Sequence, residues 1–185
     1  VRIYGAIGGV PAYLDKWDAA KSFKDNICRL VLTPSGALYG EADAVISAEL
    51  RELSAYSTIL AAIARGENKL NDIFHATGFS RAKISVYLKN LATFNIVEKV
   101  VSFETGGWEN AKKGVYQIKD TFVNFWFKFV YPNMSNLYLL SPEEFYDTYI
   151  EKELDAYLER YFREVCTEYL LILNQMGQLP FTIKR

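Results

Sequence analysis

Residues 70–101 read LNDIFHATGFSRAKISVYLKNLATFNIVEKVV, and the fold is decided there. Leu70, Ile73 and Phe74 lie at i, i+3 and i+4, one face of a helix. Gly78 then falls where a helix ends on a residue at ease with positive φ. Ser80 is placed to cap the next helix by accepting from backbone N–H groups that lack a partner. Ile84, Leu88 and Leu91 repeat at i, i+4 and i+7, which gives that helix a narrow apolar stripe. Arg81, Lys83, Ser85, Lys89 and Asn90 occupy its other face. Two short helices joined through a glycine turn, the second basic on its outside, form the helix-turn-helix pattern.

The flanking sequence extends this pattern. Leu53, Tyr56, Leu60 and Ile63 recur at i, i+3, i+7 and i+10, so residues 53–65 supply an amphipathic helix ahead of the pair, closed by Gly66. After the pair, residues 96–103 and 115–118 are rich in strand formers and flank a polar loop containing Gly106 and Gly107. Three helices followed by a hairpin is the order of a winged helix, and it spans about residues 51–120.

Residues 1–50 read as helices interrupted at Gly5, Gly8, Gly9 and Pro11. A helix over 26–32 turns Ile27, Leu30 and Val31 inward and stops at Thr33-Pro34-Ser35-Gly36. Another over 42–52 buries Val45, Ile46 and Leu50. Run together with the next helix, it predicts a coupling rod over residues 42–65. Beyond the hairpin, Asp120 or Thr121 caps a helix over 122–130 bearing Phe122, Phe125, Trp126 and Phe129, ended by Pro132-Asn133. Ser141-Pro142-Glu143-Glu144 then opens a long helix with a cap, a proline in the first turn and a glutamate three residues on. Its apolar face, Phe145, Tyr149, Leu154, Leu158, Phe162, Val165, Tyr169 and Ile172, is read as continuing to about Met176. The fold class is mainly α: a helical segment over 1–50, a winged helix-turn-helix over 51–120, and C-terminal helices over 121–185.

Composition narrows the function classes. Half of the 185 residues are hydrophobic and 15% are aromatic, which excludes disorder. The formal net charge of −1 excludes a bulk polyelectrolyte binder, but the distribution is uneven. Residues 69–101 hold five basic side chains (Lys69, Arg81, Lys83, Lys89, Lys99) against Asp72 and Glu98, while residues 141–168 hold nine acidic ones against Lys152, Arg160 and Arg163. A basic middle and an acidic end imply different partners. Cys28 and Cys166 read as buried free thiols of a reducing, cytoplasmic environment. No apolar run approaches the roughly 20 residues of a membrane span. His75 is the one histidine, so no zinc site of ordinary spacing can be assembled. The chain starts and stops within ordered-looking segments, which reads as a fragment of something longer.

Several stretches together resemble the C-terminal part of the AAA-like (STAND-type) ATPases common in archaea and many bacteria. They are Gly8-Gly9-Val10-Pro11-Ala12-Tyr13-Leu14, Ala48-Glu49-Leu50-Arg51-Glu52, Tyr56-Ser57-Thr58-Ile59-Leu60-Ala61-Ala62-Ile63-Ala64, Ser85-Val86-Tyr87-Leu88-Lys89-Asn90-Leu91, Tyr116-Gln117-Ile118-Lys119-Asp120 and Phe125-Trp126-Phe127-Lys128-Phe129-Val130-Tyr131-Pro132-Asn133. The resemblance implies that residues 1–50 are the lid of an ATPase, with Gly9 and Pro11 against a bound nucleotide, and that residues from about 162 open a nuclease-like domain. It implies ATP and Mg²⁺ for the full-length parent and an ATPase domain as partner. The phosphate-binding Gly-x-x-x-x-Gly-Lys-Ser/Thr loop is absent from these residues, as is a complete catalytic site, so no cofactor is expected on this chain alone. The family has Glu directly after the phenylalanine matched by Phe162, where this chain has Arg163.

The binding candidates follow. Ser80, Arg81, Lys83, Ser85 and Lys89 of the second helix are predicted to meet duplex DNA, with Lys112 and Lys113 of the wing along the phosphate backbone. The alternative is a protein–protein module that docks its own ATPase domain or a second copy as a homo-oligomer. A third reading makes the winged helix the delivery arm of a nuclease.

Overall fold

The computed structural model describes residues 1–48, 50–101 and 114–183. Helices dominate, and the order is α1 (Arg2–Ile7), α2 (Pro11–Leu14), α3 (Phe23–Ile27), α4 (Glu41–Ser47), α5 (Leu53–Ala64), α6 (Leu70–Thr77) and α7 (Arg81–Thr93). Then come β1 (Val97–Val100), β2 (Val115–Ile118), α8 (Thr121–Phe125), α9 (Met134–Leu137), α10 (Pro142–Tyr149) and α11 (Glu151–Gln175). Two helices run on as wider π-type turns, α3 through Cys28–Leu32 and α8 through Trp126–Val130. The fold is mainly α, with one small sheet.

Local chemistry accounts for most helix starts. Ser22 and Asp25 form a reciprocal capping box at α3, as Ser141 and Glu144 do at α10 with Pro142 in the first turn. Asp120, rather than Thr121, caps α8 by accepting from Val123 N–H at 2.8 Å. The hairpin pairs antiparallel, Val97 with Ile118 through Val100 with Val115. Tyr116 N–H donates to the Asn68 carbonyl at 2.7 Å and fastens the hairpin to the loop before α6.

The core centres on α8 and its π-type continuation. Phe122, Phe125, Trp126, Phe127 and Phe129 are at most 1% exposed, so this segment is surrounded rather than half-solvated. α1 packs on α8, α5 on the Trp126–Val130 turn, and α10 on the Cys28–Leu32 turn. α5 is likewise buried nearly all round, Ala55 through Ile63 with Thr58 half-exposed, so it is a central helix whose buried surface is wider than the stripe of Leu53, Tyr56, Leu60 and Ile63. One contiguous cluster of buried residues runs through all three stretches of sequence.

A buried polar chain ties the first helix to the last. Tyr157 O–H donates to the Gly5 carbonyl at 2.9 Å, Tyr157 and Tyr161 oxygens lie 3.3 Å apart, and Asn124 Nδ2 donates to the Tyr161 hydroxyl at 2.7 Å. Gly5 has no side chain because there is no room: a Cβ there would lie 2.3 Å from Leu158 Cδ2.

Four expectations are corrected. The helix over 42–52 ends at Ser47 and α5 begins at Leu53, so the coupling rod over 42–65 is two helices with a joint between them. The helix over 122–130 does end at Val130, where the chain tightens into a 3₁₀ turn at Tyr131–Asn133 before passing into α9. The long C-terminal helix breaks at Ile150, which is fully buried between α10 and α11. Its apolar face is also not buried to the end. α11 seats Leu154, Leu158 and Tyr161 in the core, whereas Phe162, Val165, Tyr169, Ile172 and Met176 are exposed. Both thiols are free; Cys28 is buried, but Cys166 is only half-buried.

Candidate nucleic-acid interface

The turn between α6 and α7 is built as its residues dictate. Gly78 closes α6 in the left-handed region at φ +69°, and its N–H donates to the Phe74 carbonyl at 3.0 Å. Thr77 Oγ1 donates to the Ile73 carbonyl and accepts from Phe79 N–H. Ser80 Oγ accepts from Lys83 N–H at 3.2 Å and caps α7. α7 then buries Ile84, Tyr87, Leu88 and Leu91.

Its outward face carries Arg81, Ser85, Lys89 and Thr93 at i, i+4, i+8 and i+12, all exposed, with Ala82 and Val86 beside them. The candidates are brought together on one helix, yet they are not equivalent. The Arg81 guanidinium lies 4.1 Å from the Phe74 ring centroid and donates to Asn71 Oδ1 at 2.5 Å. The Lys83 ammonium lies 4.5 Å from the Phe79 ring, 5.3 Å from the Tyr87 ring and 4.0 Å from a Glu52 carboxylate oxygen. Ser85 Oγ is turned back to the Arg81 carbonyl at 2.8 Å. Among the described residues, Lys89 has neither an ion-pair nor a cation–π partner. Lys112 and Lys113 lie outside the described residues. On the hairpin, the Lys99 ammonium covers the Tyr116 ring at 5.4 Å.

Sequence reasoning missed the inner polar contacts of α7. Tyr87 O–H donates to the Glu52 carboxylate, and Asn90 Nδ2 donates to the Tyr56 hydroxyl at 2.8 Å. The Tyr56 and Tyr87 rings sit 4.4 Å apart. The Glu52 hydrogen bond, then burial, pushes the Tyr87 hydroxyl up to about 12. Tyr87 was legible, because it extends the stripe of Ile84, Leu88 and Leu91. Glu52 carried no local signal, since its partner is 35 residues away.

The glycine-rich start borders a second feature. Gly8, at φ +70°, and Gly9 edge a cleft of ≈ 220 Å³ that Tyr4, Asn95, Lys119 and Thr121 also line. Pro11 opens α2 and is not among the lining residues. Near the matched Phe162, Glu164 accepts from Arg160 Nε at 2.7 Å, and Arg163 stands exposed. Among the described residues no group of three His, Cys, Asp or Glu side chains could hold a metal ion. No helix among them is long and apolar enough to cross a membrane.

Residues 126–185 match the model of the family DUF234, archaeal and bacterial proteins of unknown function. The chain is 34% identical over 182 residues to an uncharacterized protein of Methanocaldococcus jannaschii, covering 98% of this chain and 40% of that protein. The chain thus spans about 40% of the length of the curated relative it matches. No solved structure matches it.

Proposed function

We propose that this chain is the lid, winged-helix and C-terminal portion of an AAA-like ATP-binding protein, and that α7 is its contact with duplex DNA. The observation that carries the DNA reading is the stripe Arg81–Ser85–Lys89–Thr93, exposed along one face of a capped helix that follows a tight glycine turn. Such a helix lies in the major groove with basic and hydroxyl side chains at phosphates and base edges, and Val86 and Ala82 match the methyl group of thymine. Lys89 supplies a phosphate contact at no intramolecular cost. Arg81 and Lys83 must first leave the aromatic rings they cover.

Nucleotide control belongs to the parent protein. The Gly8–Gly9 cleft, at ≈ 220 Å³, falls below the roughly 300–1,000 Å³ usual for a ligand pocket, and Lys119 is the one cation among its lining residues. These residues fit at most one edge of a nucleotide, with the phosphates and Mg²⁺ held by a loop this sequence lacks.

The test is duplex affinity against salt concentration. DNA binding predicts a log–log slope of about −0.9 for each phosphate neutralised, and Lys89→Ala reduces the slope by about 1. Absence of duplex affinity at low salt refutes the reading. A second reading, a protein-docking module, is favoured by one observation: Val86 is 57% exposed on α7 while two of the helix's three cations are engaged internally. Light scattering that finds a dimer, together with no DNA affinity, selects it.

A further inference from the structure

The joint between α4 and α5 reaches across to α7 through one side chain. Glu52 is the residue before α5, and its carbonyl accepts from Ala55 and Tyr56 N–H as a cap residue should. Its side chain does not cap the helix, although the first-turn N–H groups need acceptors. Glutamate is not among the preferred cap residues, and here the carboxylate instead extends to Tyr87 and Lys83. Leu50, 6% exposed and hydrogen-bonded to the Ile46 carbonyl, ties the same joint to α4. The joint is therefore anchored to the first fifty residues on one side and to α7 on the other.

We propose that Glu52 is a positioning residue that holds Lys83 away from DNA, so that displacement of the α4–α5 joint releases a cation to a phosphate. The inference rests on the DNA reading of α7. The geometry is that of a competitor: a carboxylate oxygen 4.0 Å from the ammonium attracts the same charge a phosphate would, without a direct hydrogen bond to it. Both side chains face solvent, Lys83 at 40% and Glu52 at 65% exposure, so the pair is weak and reversible rather than locked by burial. Tyr87 is buried and donates to the same carboxylate oxygen, so it holds Glu52 beside Lys83 until the joint moves. Movement of the residues ahead of α5 thereby changes the number of cations α7 offers without unfolding the helix.

The experiment measures binding of a fluorescently labelled duplex by the 185-residue chain, as Glu52→Gln, Lys83→Gln, the double variant, and Glu143→Gln as a control for net charge on α10. Glu52→Gln is expected to raise affinity about three- to fivefold above Glu143→Gln and to steepen the salt slope by about 0.9, one added phosphate contact. The gain is expected to vanish in the Lys83→Gln background. Equal affinities for Glu52→Gln and Glu143→Gln overturn the proposal, as does a gain that persists without Lys83. If the wild-type chain binds no duplex at low salt, the DNA reading fails. Amide hydrogen exchange across α7 then decides the clamp separately: exchange faster in Glu52→Gln than in Glu143→Gln upholds the grip on α7, and equal exchange overturns it.

Discussion

Replacing Gly5 with alanine tests how α1 is seated on α11. In an open helix the change stabilises by about 1 kcal/mol, because glycine is the more costly helix residue. Here the new Cβ would stand 2.3 Å from Leu158 Cδ2 and 3.3 Å from the Tyr161 ring, both in the core. Inserting a methyl into packed surroundings costs roughly 1–3 kcal/mol, so the net effect of Gly5→Ala is a loss of roughly 0–2 kcal/mol. Leu158→Ala alone, at a site 6% exposed, costs roughly 2–5 kcal/mol through the cavity it leaves. In that background the alanine Cβ loses its closest clash and meets only the Tyr161 ring at 3.3 Å, so the propensity gain reappears and Gly5→Ala becomes stabilising by up to about 1 kcal/mol. Urea unfolding of the four chains of this cycle measures a coupling of roughly 1–3 kcal/mol. If Gly5→Ala has the same effect in both backgrounds, α1 is not packed against Leu158 as described.

Other consequences are open to simpler measurements. Ser80→Ala removes the acceptor for Lys83 N–H and is expected to cost about 1 kcal/mol, read as a drop of about 2–4 °C in Tm. Gly36→Ala places a Cβ 2.5 Å from the Leu30 carbonyl oxygen and 2.6 Å from that of Arg29, both backbone, whereas a Cβ at Gly78 meets open space. Gly78→Ala therefore pays only its left-handed φ, about 1–2 kcal/mol, and Gly36→Ala is expected to unfold at lower urea than Gly78→Ala. Acid lability follows from the capping boxes. Backbone and side-chain bonds from Ser141 hold Glu144 below the ordinary 4.5, and Ser22 holds Asp25 below the ordinary 3.8. A lowered folded-state pKa contributes stability above the unfolded value and loses it as pH falls through the folded one. Glu144→Gln is thus expected to lessen the stability lost on acidification below about pH 4.5, as followed by circular dichroism against pH.

What the sequence disclosed, and what it withheld, divides by range. Ser80, Gly78, Ser141 and Glu144 were legible because a cap or turn is settled within three residues, and each sits where the spacing put it. The strand Val115–Ile118 was legible because it is short, β-rich and bounded. The grip of Glu52 on Tyr87 was not, since neither residue has a neighbour in sequence that announces the other. The exposed run Phe162, Val165, Tyr169 and Ile172 shows the opposite failure. Periodicity says that a helix has an apolar side, but what lies against that side is a tertiary fact. Likewise, the spacing of basic residues on α7 picked out its outer face, while the stacking of Arg81 on Phe74 and of Lys83 on Phe79 is fixed by the angle of the turn, which no composition reveals.

The buried contact of α1 with α11 also sets the order of events during synthesis. Gly5 meets Tyr157 and Leu158, and Arg2 meets Asp155 at 3.3 Å, across more than 150 positions of chain. Contacts so distant in sequence form late and slow folding. Within this chain α1 is synthesised well before α11, so the part of its seat that α11 supplies is missing while the intervening residues emerge. Until then the Phe125 and Phe129 rings lack the Tyr157 ring that packs on them, which leaves apolar surface open to aggregation during that interval.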